Sequence, residues 1–474
     1  ATSAYVSGAD GASESKKLTQ GSLSGLNALV QTYAIESIGT SLVDAGQVTL
    51  TQSFEVALVP IFQFAVFYHD DLWTQPIFDM DVTGRVHVNG DMHMQDNGKG
   101  RTLAFHERVT CSGDINYGLP SGTYDVGDVG FYDNNGNYVS MKKDGKWLDA
   151  SSSDWYTEAS ARWGGMVQDK AFGQGELTLP MAANGDPHDL IERADGGNKN
   201  SFEDKADLKI MDGRAYVKSG SIWQDVTVSM TSSGILTTDA SVEFYDAREK
   251  KTISNTQIDM NKLSSNKYFP SNGVIYISDQ RSTTGQNGTS LVNGAEIGQP
   301  LTVACENPLY VQGDFNTINK QPVAGMADAV TYLSNSWNAA DSKSSYKNRN
   351  ASKTSVNMAF VTGDVEPSKS NYGGGLENLP RFLENWNGTE FNYTGSMIQG
   401  WRSEQAKGTW RYTDGVDPYY SAPKRVWSFD TDFEDPSKLP PDSPTIQLFQ
   451  RTGWSQQNVG YTVSNSDATV DVVE

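Results

Sequence analysis

The nine residues Val86 to Met94, VHVNGDMHM, alternate without a break and turn in the middle on Asn-Gly-Asp. Val86, Val88, Met92 and Met94 are apolar, while His87, Asn89, Asp91 and His93 are polar. A helix would scatter those apolar residues around its axis, whereas a strand gathers them on one face, so the stretch reads as two short strands joined at Gly90. Glycine at the corner is expected to supply a positive φ. Looser echoes follow in VTCSGDINY from Val109, LYVQGDFNT from Leu309, FVTGDV from Phe360 and FNYTGSMIQ from Phe391. Their irregular spacing does not fit a counted repeat such as a propeller. It fits a mostly β chain whose core is a β-solenoid, parallel β-helix-like, in which each coil buries its apolar side only by stacking on the next. Gly90, Gly113, Gly313 and Gly363 are then expected at strand corners. A β-sandwich of hairpins gives the same local pattern and is the alternative.

Around that core the chain divides into four parts. Residues 1–53 carry Leu23, Leu26, Val30, Tyr33 or Ala34, and Ile38 at spacings of three and four, which predicts an N-terminal helical arm. Residues 54–118 and 209–462 form the discontinuous core. Residues 119–208 are rich in Gly, Asp, Asn and Trp and read as a loop-rich insertion. Residues 463–474 form a tail whose ATVDVV segment alternates and is suited to adding a strand to an open sheet edge. A second helix is predicted over Met326 to Trp337, with Met326, Ala329, Val330, Leu333 and Trp337 on one face.

A formal net charge of −21 surrounds the chain with a negative field that repels phosphate backbones, so nucleic acid is excluded as a natural partner. No apolar run reaches the ~18 residues of a membrane span, the nearest being VALVPIFQFAVFY from Val56 to Tyr68. The chain begins ATSAYV, and a leader or anchor removed upstream is one reading of that start. Two cysteines, Cys111 and Cys305, are open to a disulfide in an oxidising compartment or to a pair of buried thiols.

The chemistry-bearing residues are few. His87, Asp91 and His93 are the densest set of metal-ligand types, although their spacing across a turn matches no known ligand pattern and no metal is expected. Acidic runs such as Asp430 to Asp435 and the pair Asp70-Asp71 offer oxygen ligands to calcium; no other cofactor is indicated. There is no GxSxG, and no histidine after position 188 to serve as the base of a triad, so no catalytic residue is assigned. Trp147, Trp155 and Trp163 are the candidates for stacking on a glycan, against the commoner role of local core.

The runs VPIFQFAVFYHDDLW from Val59, GRVHVNGDMHM from Gly84, TCSGDINYG from Thr110, LYVQGDFN, ADAVTYLSNSWN, LPRFLENWNG and YYSAPKRVWSFDTDF resemble PilX-like, type IV pilus assembly-associated bacterial envelope proteins. The resemblance covers residues 54–118 and 300–454. It implies a surface or secretion-related component that brings no established catalytic residues and carries an apolar N-terminal helix ahead of the region present here. The expectation is a non-enzymatic, exported structural protein at the cell surface, a filament or pilus-associated component whose partners are copies of itself or pilus and secretion proteins. A β-helix carbohydrate-active enzyme, lyase or hydrolase, and a glycan-binding adhesin are the alternatives.

Overall fold

The computed structural model describes residues 2–8, 13–19, 21, 23–40, 46–96, 98–181, 185–369, 372–410 and 418–459; the predicted tail at 463–474 lies outside them. The protein is mostly β and divides into two compact units, one made of Ala1–Pro60, Leu177–Pro180 and Thr445–Glu474, the other of Ile61–Glu176 and Met181–Pro444.

In the larger unit short strands recur in threes. Val66–Tyr68, Leu72–Thr74 and Met80–Val82 are followed by Val86–Val88, Met92–Met94 and Thr102–Phe105, and then by Val109–Cys111, Ile115–Tyr117 and Asp128–Tyr132. The first members of these triplets pair with one another in parallel, as do the second and the third. Parallel register places like on like: Val66, Val86 and Val109 form one column and Leu72, Met92 and Ile115 another. All six are essentially inaccessible. Each triplet thus shields the apolar side of its neighbour, at roughly 1.5–3 kcal/mol for each large aliphatic side chain removed from water. A sandwich of hairpins would pair these strands antiparallel instead.

One sheet runs through the whole unit, and its strand order does not follow the sequence. From one side it reads Leu208–Met211, Val274–Ser278, Leu301–Cys305, Val323–Ala327, Ala359–Asp364, Met397–Arg402, Val66–Tyr68, Val86–Val88, Val109–Cys111 and Val167–Gln168, all parallel. The chain enters this sheet at Val66–Tyr68, builds to the Val167–Gln168 end, and resumes at Leu208–Met211 on the other side, from which it builds back until Met397 meets Val66. Two antiparallel strands, Arg214–Ser219 and Ile222–Asp225, extend the sheet at its Leu208–Met211 end.

Four expectations are corrected. Residues 1–53 contain no helical arm among the described residues: Asn27–Thr40 is a strand, paired antiparallel with Gln47–Pro60 from Leu29–Leu58 to Thr40–Gln47. Its Val30, Thr32, Ile35, Ile38 and Thr40 are β-branched, and a long cross-strand ladder outweighs the chance helical spacing of Leu26, Val30 and Tyr33. Met326 to Trp337 is likewise not a helix but the end of the strand Val323–Ala327 and the strand Val330–Leu333, because both join parallel ladders and every residue of the two strands is buried. The insertion at 119–208 is not separate from the core, since Asp128–Tyr132 and Val167–Gln168 pair in the stack and the helix Trp155–Trp163 buries Trp155, Ala159 and Trp163.

The glycines form the fourth correction. Of the four corner candidates only Gly313 has a positive φ, 78°, and Gly363 lies inside the strand Ala359–Asp364 at a register shift. Gly90 and Gly113 do lie between strands, but what they require is room. A Cβ on Gly90 would strike Asp71 Oδ1 and sit 2.7 Å from Asp71 N; one on Gly113 would strike Asp91 Oδ1 and sit 2.6 Å from Gly90 O. Stacked corners touch backbone to backbone, and that closeness selects glycine.

Candidate interaction surface

The smaller unit is an antiparallel sheet in the order Thr2–Gly8, Asn27–Thr40, Gln47–Pro60, Thr445–Val459, with Glu14–Lys17 also paired to Asn27–Thr40. Residues directly opposite one another in such a sheet point to the same side. Register therefore sorts the side chains: Leu29 with Leu58, Tyr33 with Phe54, Ile35 with Gln52 and Trp454, Ser37 with Leu50, Gly39 with Val48, and Val56 with Phe449. On the other side lie Ala28, Val30, Ala57, Val59 and Ile446, all buried.

Of the fifteen large apolar side chains exposed among the described residues, six belong to this unit: Leu29, Ile35, Val48, Leu50, Phe449 and Trp454. All six fall on one side of the sheet. Phe449 is 66% exposed and Trp454 72%, and the Tyr33 and Phe54 rings stack between the rows at 5.4 Å. The carboxylates Glu36 and Glu55 point to the opposite side, where Glu55 pairs with Lys16 at 2.6 Å. Single exposed apolar residues are ordinary, but a contiguous apolar sheet face marks a contact site. The sequence carried a signal for it, in the alternation Val48, Leu50, Gln52, Phe54, Val56, Leu58; only the register joins that row to Phe449 and Trp454 some 400 residues away.

The residues singled out for chemistry are placed elsewhere. His87 is not on a wet face: it is 1% exposed, with Nδ1 2.7 Å from Thr110 Oγ1, Nε2 2.9 Å from Asn89 Oδ1, and its ring stacked on Phe67. Burial pulls its pKa down to about 4. His93 sits on a different sheet beside Trp73, and Asp91 Oδ1 accepts the Asp114 N–H at 2.8 Å. The three do not converge on an ion.

Cys111 and Cys305 are both free and buried, which corrects the disulfide. They lie on strands of one sheet with five others between them, a separation of roughly 29 Å at the usual strand spacing, against the ~7 Å limit for bridged Cα atoms. Burial pushes the Cys111 thiol far up and that of Cys305 up to about 12. The tryptophans are core and not an exposed platform. Trp155 and Trp163 are buried and donate to Asp169 Oδ2 at 2.7 Å and to the Val139 carbonyl at 3.1 Å, while half-buried Trp147 stacks on Tyr117 at 3.5 Å.

The acidic runs are engaged by the chain's own donors. Lys320 Nζ lies 2.7 Å from both Asp430 and Asp432, and Lys438 2.8 Å from Asp432, around a pocket of about 250 Å³. Asp71 Oδ1 accepts the Asp91 N–H, and Arg402 lies 3.1 Å from Asp70.

The group of possible metal ligands found among the described residues is His188, Glu192 and Glu404, whose ligand atoms lie within 4.8 Å of one another. His188 Nδ1 is 2.8 Å from Glu192, and Nε2 is 3.6 Å from Asp328, whose carboxylate accepts the backbone N–H groups of Glu404, Gln405 and Ala406. Burial opposes charge on His188, but Asp328 and Glu192 overcome it and raise the pKa to about 9. His188 thus sits between the carboxylates of Glu192 and Asp328, tying residues 188–192 to the corner that follows the strand Val323–Ala327.

No protein family matches the chain, and no curated relative matches it by sequence; neither comparison supports the PilX-like resemblance. A solved structure with a limited likeness is that of the competence-associated pilin ComZ from Thermus thermophilus, at 10% identity and a TM-score of 0.36, covering 94% of this chain and 87% of that one. Among the described residues no helix is long and apolar enough to cross a membrane.

Proposed function

We propose that this protein is a non-enzymatic structural component, exported to the cell surface, that acts through protein–protein contacts. The observation that carries the reading is the face bearing Leu29, Ile35, Val48, Leu50, Phe449 and Trp454, which gathers six exposed apolar side chains on one side of the sheet, among polar ones such as Gln31, Gln52 and Arg451, and marks a contact site. The larger unit is read as a β-solenoid, a rigid body whose ladders are buried and whose corners are locked by glycine. A filament- or pilus-associated place, as the sequence phrases suggest, is the finer form of the proposal, and it calls for no cofactor.

Immunogold labelling of native cells with an antibody to the full chain tests it. Label on surface filaments or on the envelope exterior is the expected result. Label confined to the cell interior would overturn it.

A further inference from the structure

We infer that the apolar face of the smaller unit is a self-complementary interface, which a second copy of this chain covers face to face. The inference rests on the contact-based reading above and names the partner.

Extent is the first argument. The strands Asn27–Thr40, Gln47–Pro60 and Thr445–Val459 have 14, 14 and 15 residues. At a rise of ~3.4 Å and a strand spacing of ~4.8 Å their footprint is about 700 Å², close to the ~800 Å² per partner of a standard stable interface.

Charge is the second. The chain carries a formal net charge of −21, so two copies repel across most orientations. This face lacks the carboxylates that carry that charge. The side chains that register and burial place on it include Lys17 and Arg451 but no carboxylate, because Glu36 and Glu55 lie on the reverse side. A basic partner would be drawn to an acidic surface, and this one offers it none. A copy of the same face brings the matching apolar rows.

Register gives the pairing. Two sheets stacked about a two-fold axis parallel to the central strand Gln47–Pro60 bring each Thr445–Val459 strand over the partner's Asn27–Thr40 strand. Trp454 shares its row with Ile35, and Phe449 shares its row with Gln31, which lies between Leu29 and Tyr33. The axis therefore sets the tryptophan of one copy on the isoleucine of the other and Phe449 over Gln31, flanked by Leu29 and Tyr33. Large aromatic residues on one edge oppose smaller side chains on the other, as packed sheets require.

The test uses the full 474-residue chain. Sedimentation equilibrium should give a concentration-dependent dimer, and the double variant Trp454→Asp, Phe449→Asp should raise its dissociation constant on the order of 30-fold or more, the scale of losing a hot-spot aromatic. Both positions are exposed, and an unchanged melting temperature will separate lost contact from lost folding. Mixing an Ile35→Cys protein with a Trp454→Cys protein should yield an oxidised heterodimer, whereas Thr32→Cys, on the reverse face, mixed with Trp454→Cys should not. A wild-type chain that stays monomeric, or a dimer that survives the double variant, would overturn this inference. Either result leaves the surface-component reading to stand or fall on its own localisation experiment.

Discussion

Val66 and Met397 are 331 positions apart in the chain and are paired in register on adjacent parallel strands. At this seam the first strand of the sheet in chain order, Val66–Tyr68, lies on the last, Met397–Arg402, and the joint is sealed by side chains as well as by the ladder. Gln399, fully buried, accepts the backbone N–H groups of His69 at 2.9 Å and Asp70 at 3.1 Å through Oε1, and donates through Nε2 to Asp70 Oδ2, Asp364 Oδ1 and the Trp401 carbonyl.

Gln399→Leu keeps the volume and removes every one of those partners. Leaving buried donors and acceptors unsatisfied costs about 1–3 kcal/mol each, so unfolding in urea should show a loss on the order of 3 kcal/mol. A change under 0.5 kcal/mol would mean that the seam does not depend on this side chain.

Gly90→Ala should destabilise through collision and not through backbone strain. The added methyl meets Asp71 within the stacked corner, and overpacking of this kind costs roughly 1–3 kcal/mol. Gly388, with φ 75° and nothing within 4 Å of an added Cβ, is the contrast: there Gly388→Ala should cost about 1 kcal/mol, from the left-handed conformation alone. Melting temperatures of the two variants side by side decide between the two causes.

Glu384 is 1% exposed and accepts from Ser334 N and Ser334 Oγ, each at 2.6 Å; burial nevertheless raises its pKa to about 7. The folded state then holds its proton more tightly than the unfolded one, so this group makes stability fall as pH rises from about 4.5 to 7, by about 3 kcal/mol in all. Glu384→Gln should flatten that part of the stability profile and melt at a higher temperature than wild type at pH 8. An unaltered slope between pH 4.5 and 7 would assign the dependence to other groups.

Neither thiol should react in the native state. Burial keeps Cys111 and Cys305 protonated, and the thiolate is the nucleophile. Titration with an aromatic disulfide reagent at pH 8 should therefore release no thiol equivalents until denaturant is added, and two thereafter. Rapid labelling of the folded chain would contradict the buried placement.

What the sequence determined by itself is local. Alternation in VHVNGDMHM specifies strands, and Gly-Asp marks their corners, because a period of two and a missing Cβ act over a few residues. Charge and composition point away from nucleic acid in the same direct way. The tertiary structure decided everything that depends on who pairs with whom. Asn27–Thr40 has apolar residues at both helical and strand spacing, and only the ladder with Gln47–Pro60 settles which one counts. His87 is polar by type, yet parallel neighbours and the Phe67 ring enclose it, so its alternation does not mean exposure. The glycine at position 90 is explained by Asp71 pressing on it from the neighbouring corner and not by its own φ. The apolar face became visible in the same way, since Trp454 lies beside Gln52 and Ile35 only when strands remote in the chain are hydrogen-bonded.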